Sequence, residues 1–141
     1  MKLTEYIHLI IITVLIVSCQ KPEENSMESG LSGTWEWVRT DGGIAHHIHD
    51  TPASTGQQIK WVFTRDGVYY KYVNATLNSK GRYTLEMRDC IHSAGQKRMI
   101  NFSSELDPDR MIESLEEGVL VVSDENYDGM ESEFIRKNEE E

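Results

Sequence analysis

A run of histidines carries the densest set of potential metal ligands in this chain. Residues 45–50 read Ala-His-His-Ile-His-Asp. Imidazole nitrogens and carboxylate oxygens are zinc ligands, and residues this close in sequence can reach one ion from a single loop. Because no fourth ligand stands out elsewhere, we expect a solvated loop between the first two strands and no cofactor. His46, His47 and His49 are the residues that would bind zinc if the loop held it.

A second segment resembles part of a calcium site. Residues 124–129 read Asp-Glu-Asn-Tyr-Asp-Gly, which matches the opening of a calcium-binding loop. The twelfth position of such a loop needs a bidentate glutamate, but Ile135 stands there. Asp and Asn before Gly also favour a tight turn. We therefore predict a turn here and no calcium.

One pair of residues suggests nucleophilic chemistry. Cys90 and His92 are two positions apart, so they would share one face of a strand. The same face would hold Glu86 and Arg88, which indicates that it faces solvent. A Cys–His nucleophile also needs mutual contact and an oxyanion hole, and the chain has no glycine-rich nucleophile elbow or phosphate loop. We therefore predict that the protein is not an enzyme.

The charge balance argues against one class of partner. The 141 residues include 14 Lys and Arg against 24 Asp and Glu, a net charge of −10. An acidic chain repels phosphate backbones, so we expect no binding to nucleic acid. For the same reason we do not expect the folded domain to lie flat on anionic lipid.

The N-terminus is typical of an export signal. Lys2 supplies a positive start, and residues 6–17 are almost wholly apolar, a run shorter than the roughly 20 residues of a membrane-spanning helix. Its end, Ile16-Val17-Ser18-Cys19, resembles the lipobox of bacterial lipoprotein signal peptides. The resemblance implies that residues 1–18 are removed and that Cys19 carries acyl chains such as palmitate, which hold the protein on a membrane. A secretory signal without lipid is the alternative.

The next segment, residues 19–30, is predicted to be a flexible tether because it is polar and acidic and offers little to bury. Its first six residues resemble the acidic signals of surface-exposed lipoproteins in some Gram-negative bacteria, although Pro22 stands where those signals often carry an acid. We therefore expect an outer-membrane lipoprotein of the cell envelope, exposed at the surface if this signal operates. An ordinary solvated linker is the alternative. If Cys19 is lipidated, Cys90 has no partner, so no disulfide stabilises the fold.

Beyond the tether, apolar and polar residues alternate with the period of β-strands. The alternation is clear in residues 34–38, 59–64 and 83–88, and we predict further strands over residues 68–73, 98–102, 119–122 and 133–136. Asp66-Gly67 and residues 78–81 predict turns. Residues 110–115 follow a proline that could begin a helix, but the segment is short, and we predict a strand that turns at residues 116–118.

About eight short antiparallel strands predict an all-β, up-and-down β-barrel over residues 31–137, with residues 138–141 as an acidic tail. The interior of such a barrel is just wide enough for side chains or one small ligand. Seven aromatic residues are candidates for lining a ligand cavity: Trp37, Trp61, Phe63, Tyr70, Tyr72, Tyr83 and Phe102. The alternative is that these side chains fill the barrel completely.

Two motifs at the ends of this region are similar to those of a known family. Leu31-Ser32-Gly33-Thr34-Trp35 resembles the G-x-W motif that opens the first strand of lipocalin-like proteins, and Phe134-Ile135-Arg136 resembles their last strand, whose arginine covers that tryptophan. With the segments 42–44, 51–56, 63–67 and 127–129 between them, residues 31–137 resemble the small lipocalin-like lipoproteins of bacteria.

This resemblance implies a fold more firmly than an activity. It implies that Trp35 plugs one barrel end and that Arg136 stacks on it, a cation–π contact of about 0.5 to 2 kcal/mol. We expect a membrane-anchored barrel that binds a small apolar or amphipathic ligand. A barrel with a filled core that acts as a surface interaction module is the alternative.

Overall fold

The computed structural model describes residues 30–91 and 94–138. The predicted signal, Cys19, the tether up to residue 29, His92 and residues 139–141 lie outside the described residues, so what was predicted for them stays a prediction. Within the described ranges, no helix has the length and apolar character needed to cross a bilayer.

Strands account for most of the described chain. They are β1 (Gly33–Gly42), β2 (Ile48–Asp50), β3 (Ile59–Phe63), β4 (Val68–Val73), β5 (Thr76–Asp89), β6 (Gln96–Phe102), β7 (Arg110–Glu116), β8 (Val119–Ser123) and β9 (Met130–Lys137). A 3-10 turn, Ile44–His46, precedes β2, and one short helix, α1 (Pro52–Thr55), follows it.

Eight of these strands form a closed antiparallel barrel. Running from β3 to β9, each strand pairs with the next along the chain, and β1 pairs with both β3 and β9. The β1–β9 pairing extends from Thr34↔Lys137 to Gly42↔Met130 and closes the barrel. β2 is an additional strand on the end of β1. The prediction of an all-β barrel of about eight strands is confirmed, and so is the strand predicted over residues 110–115.

β1 and β3 separate partway along the barrel. They pair only from Gly33↔Phe63 to Glu36↔Lys60. Beyond that point β2 lies against β1 instead, and the loop with α1 connects β2 to β3. This separation matters because Trp37 and Ile59, the next inward residues of the two strands, become the walls of two cavities.

The caps of α1 explain why a four-residue helix forms in this loop. The Thr51 hydroxyl accepts a hydrogen bond from the Ser54 backbone N–H, and the Ser54 hydroxyl accepts one from the Thr51 N–H in return. Pro52 occupies the first helical position, and Gly56 ends the helix in the left-handed conformation with φ 69°.

The turn between β4 and β5 differs from the prediction. Residues 78–81 do not form a turn but belong to β5, where Ser79 pairs with Lys71 of β4. The actual turn is Asn74-Ala75, with positive φ at both residues, as a two-residue hairpin requires. The predicted turn after β7 is confirmed, since Glu116 pairs with Val119 across Glu117-Gly118.

Trp35, near the start of β1, is fully buried. Its indole Nε1 donates to the Leu31 carbonyl at 2.7 Å. The Arg136 guanidinium lies 4.3 Å from the centre of the indole ring, and it also donates to the carbonyls of Ser32 and Gly30. These bonds tie the chain before β1 to β9.

Candidate functional site

Aromatic side chains fill the half of the interior next to Trp35. Phe63 meets Tyr83 edge to face with ring centroids 5.0 Å apart, and Tyr69 meets Phe102 in the same way at 4.6 Å. Phe63, Tyr69 and Tyr83 are all buried. This half therefore serves as the hydrophobic core of the domain.

The other half of the interior holds a cavity of about 220 Å³, which we call the barrel cavity. Its wall includes Trp37, Ile59, Trp61 and Phe134. Trp61 stacks on Phe134 with ring centroids 4.4 Å apart, and both rings line the cavity. An aromatic wall with a few polar groups is the usual composition of a small-ligand site.

A chain of polar contacts holds Trp37 against one side of the barrel cavity. Its indole Nε1 donates to the Thr40 hydroxyl at 2.9 Å, and the Thr40 and Ser132 hydroxyls are 2.8 Å apart. Thr40 and Ser132 also line the cavity. Hydroxyl groups thus lie beside the aromatic wall, within reach of a ligand's polar atoms.

A second cavity of about 320 Å³ lies where β1 and β3 separate. Trp37 and Ile59 line both cavities. The second cavity is otherwise bordered by outward residues such as Lys60 and Tyr72 and by Pro52 of α1. The opening between the strands therefore lies next to the barrel cavity and is a candidate entrance to it.

The interior also contains a buried carboxylate, Asp107, which the β6–β7 loop carries into the barrel. Asp107 Oδ2 accepts from the Tyr69 hydroxyl at 2.7 Å and from the Ser79 hydroxyl at 2.5 Å. Asp107 Oδ1 accepts from Lys71 Nζ at 2.8 Å. Burial acts to raise the pKa of Asp107, but the bonds from Lys71, Ser79 and Tyr69 outweigh it, so the pKa lies below its ordinary value.

The pKa of Tyr69 shifts upward, in the opposite direction to that of Asp107. Burial and the hydrogen bond to Asp107 raise the pKa of Tyr69 to about 12. The neutral phenol is therefore the donor and Asp107 the ionised acceptor at neutral pH. The network fixes the loop between β6 and β7 and leaves Lys71, which lines the barrel cavity, already neutralised.

Arg110 is the other cation of the barrel cavity. It pairs with the buried Ile100 of β6, on the inner face, and it lines the cavity. Among the described residues its nearest carboxylate oxygen is Asp124 Oδ2, 3.9 Å away and beyond hydrogen-bonding distance. Burial lowers the pKa of Arg110, although Asp124 and Asp107 act to raise it.

The predicted aromatic residues fall into three groups. Trp37 and Trp61 line the barrel cavity. Phe63, Tyr83 and Phe102 belong to or pack against the core on the filled side. Tyr70 and Tyr72 lie on the opposite face of β4 and do not line the barrel cavity, although Tyr72 borders the second cavity.

The register of β4 explains this correction. Phe63 pairs with Tyr69, and Trp61 pairs with Lys71, so Tyr69 and Lys71 point inward. Side chains alternate along a strand, which places Tyr70 and Tyr72 outside. Lys60 lies over the Tyr72 ring on that outer face, 4.6 Å from its centre.

The histidine loop does not converge on a common point. His47 Nδ1 contacts the Ile44 carbonyl at 2.5 Å and His49 Nδ1 contacts Asp41 Oδ1 at 2.6 Å. Both histidines are exposed, as is His46. No group of three or more His, Cys, Asp or Glu side chains within residues 30–91 and 94–138 is arranged to hold a metal ion.

The acidic segment 124–129 forms the connection between β8 and β9. Asp124 Oδ1 accepts from the Met130 backbone N–H at 2.8 Å, and the Gly129 N–H donates to the Asn126 carbonyl at 2.9 Å. These are turn contacts, as predicted. Cys90 is a half-buried free thiol near the Gly95 carbonyl.

Sequence patterns alone do not identify Lys71, Asp107 and Arg110, three charged residues that lie inside the barrel. Each looks like an ordinary surface residue in sequence. The one available signal is that Lys71 interrupts an otherwise apolar and aromatic strand. It becomes informative only once the register shows that Lys71 lies on the inner face.

No family model, no curated protein and no solved structure matches this chain.

Proposed function

We propose that this protein is a membrane-anchored, lipocalin-like lipoprotein that binds a small apolar or amphipathic ligand at the cell envelope. The barrel cavity carries the proposal. The barrel is filled with aromatic side chains at one end, while at the other end it keeps about 220 Å³ against Trp37, Trp61 and Phe134.

The shape and chemistry of this space favour binding over a filled core. The barrel cavity, at about 220 Å³, is smaller than the roughly 300 to 1,000 Å³ of most ligand pockets, so by itself it holds only a small ligand. The adjoining cavity of about 320 Å³ extends the space where Trp37 and Ile59 form shared walls. A ligand chain longer than the barrel cavity can therefore continue between β1 and β3.

The proposed anchor rests on the sequence. The apolar run and the lipobox-like Ile16-Val17-Ser18-Cys19 support lipidation of Cys19, and the acidic stretch after it supports the outer membrane. Resemblance to bacterial lipocalin-like lipoproteins supports the same assignment. A barrel on a short tether would meet apolar molecules close to the membrane that holds it.

Binding is tested with the full-length protein and the neutral fluorescent probe N-phenyl-1-naphthylamine. We expect saturable fluorescence enhancement, lost in Ser132→Phe because the new ring occupies the barrel cavity that Ser132 lines. Thr84→Phe is the matched control, since Thr84 is exposed on the outside of β5. If the folded wild-type protein shows no saturable binding, the ligand proposal is wrong and the interaction-module alternative takes its place.

Anchoring is tested separately by expressing the full chain in a Gram-negative bacterium with labelled palmitate. We expect the wild-type protein to carry the label and to be found in the membrane fraction. Cys19→Ala should be unlabelled and absent from that fraction. Labelling that survives in Cys19→Ala would contradict the proposed anchor without touching the binding proposal.

A further inference from the structure

The two cations that line the barrel cavity differ in what they have left to bind. Lys71 Nζ donates to Asp107 at 2.8 Å, so its charge is matched by a buried carboxylate. Within residues 30–91 and 94–138, Arg110 has only the 3.9 Å approach of Asp124 Oδ2, and the other oxygen of Asp124 accepts from a backbone N–H. The Arg110 guanidinium therefore has hydrogen-bonding capacity that its neighbours leave unused.

Arg110 lies where a ligand in the barrel cavity could use this hydrogen-bonding capacity. Its side chain is 23% exposed, and it shares the barrel cavity with Trp37, Trp61 and Phe134. Burial disfavours a guanidinium unless hydrogen bonds replace its water. A ligand group that accepts two hydrogen bonds would supply them.

The charges around the cavity set the character of this group. Lys71 and Asp107 cancel each other, while Arg110 faces Asp124 at a longer distance. Asp50 also lines the cavity but is an exposed residue of the small strand β2. Solvent screens the exposed Asp50 more strongly than the half-buried Arg110, so Arg110 is the charged group of the cavity wall that is most available to a ligand.

We propose that the cavity selects an amphipathic monocarboxylate, whose head group binds Arg110 while its apolar chain lies against Trp37, Trp61 and Phe134. This rests on the proposed ligand-binding function. The planar guanidinium fork matches the two oxygens of a carboxylate. The aromatic wall accepts an alkyl chain and gives no partner to a second charged group.

The experiment compares octanoate with 1-octanol, which have the same chain length and differ in the head group. Each displaces N-phenyl-1-naphthylamine from the full-length protein at neutral pH. We expect octanoate to bind roughly 10- to 100-fold more tightly, the range for hydrogen bonds to a charged group. Arg110→Gln should reduce the affinity for octanoate to that for octanol and leave the affinity for octanol unchanged.

Arg98→Gln is the matched control. Arg98 is a partly buried arginine of β6, and it lines a different cavity, beside Met87 and Lys97. It should keep the full preference for octanoate. A preference that survives in Arg110→Gln, or that disappears in Arg98→Gln, overturns the assignment to Arg110.

A measurement on the wild-type protein covers the case in which Arg110→Gln does not fold. The carboxyl carbon of ¹³C-labelled octanoate is titrated by NMR, free and bound. A carboxylate paired with Arg110 should titrate about 1 to 3 pH units below the free acid, whereas an unpaired carboxyl in an apolar cavity should titrate above it.

The outcomes separate this inference from the function on which it rests. Equal affinity for octanoate and octanol, or a raised pKa of the bound acid, overturns the carboxylate inference and leaves ligand binding intact. If neither compound displaces the probe and the probe itself does not bind, both proposals fail.

Discussion

Replacing Asp107 with asparagine should destabilise the domain more than replacing an exposed aspartate such as Asp89. Asp107 is buried and accepts hydrogen bonds from Tyr69, Ser79 and Lys71. The amide introduced by Asp107→Asn has one acceptor oxygen in place of two and no charge. Lys71 then keeps its positive charge in the interior without the carboxylate that offsets it.

The magnitude follows from the burial of the two partners. Removing one member of a fully buried ion pair costs about 3 to 5 kcal/mol. The Asp107 side chain is 5% exposed and that of Lys71 is 23% exposed, so water recovers part of the solvation of the Lys71 ammonium. We therefore expect Asp107→Asn to lower the free energy of unfolding by about 2 to 4 kcal/mol at pH 7.

The pH dependence has a definite sign. The pKa of Asp107 is lowered in the folded protein, so its contribution is present above its unfolded pKa of about 3.9 and is lost as the pH falls through the folded value. The difference in stability between wild type and Asp107→Asn should be constant near neutral pH. It should shrink as the pH falls below about 4.

The assay is urea unfolding followed by circular dichroism, with unchanged m-values as the condition for comparing free energies. Asp89→Asn is the control, because Asp89 is exposed at the end of β5 and should cost less than about 0.5 kcal/mol. Lys71→Met should also destabilise, and Lys71→Met combined with Asp107→Asn should lose less than the sum. A cost below about 0.5 kcal/mol for Asp107→Asn, or strictly additive effects with Lys71→Met, would refute the reasoning.

Two further predictions concern other parts of the barrel. Gly33→Ala should cost about 2 kcal/mol or more in chemical unfolding, because φ 140° is strained for any residue with a Cβ and the new Cβ would displace Arg136 Nη1 from the Ser32 carbonyl. Gly56→Ala, at φ 69° with open space around it, should cost only about 1 kcal/mol, and equal losses would contradict the role given to Arg136. The pKa of Tyr69, raised to about 12, predicts stability that is complete below about pH 10 and falls as the pH rises toward 12. This decline should be absent when Tyr69→Phe is unfolded at alkaline pH. If the variant shows the same decline as the wild type, Tyr69 does not cause it.

The strand content could be predicted from sequence because strand periodicity is local. The alternation in β1 and β3 places Trp35, Trp37, Trp61 and Phe63 on one face, and the structure buries all four. Closure could be predicted as well, since many short strands must otherwise leave edges exposed. The end motifs around Trp35 and Arg136 meet in adjacent strands, where the two residues are direct partners.

The misplaced turn shows where local signals fail. Residues 78–81 contain the residue types of turns, yet Ser79 is needed as a donor to Asp107. Gly81 is needed because a Cβ there would press on Ser103 and Tyr69. Their turn-like composition reflects contacts inside the barrel. The real turn at Asn74-Ala75 lacks the glycine that would have marked it.

By itself, the sequence determined the fold class, the inward-pointing side chains of most strands and the candidate export signal. Each of these depends on neighbours along the chain. The tertiary structure alone decided the site. Three tyrosines at positions 69, 70 and 72 fit either register of β4, and only the pairing with β3 turns Tyr69 and Lys71 inward. Asp107 and Arg110 reach the interior from the other side of the barrel. Their chemistry depends on residues that lie far away in sequence and meet only when the barrel closes.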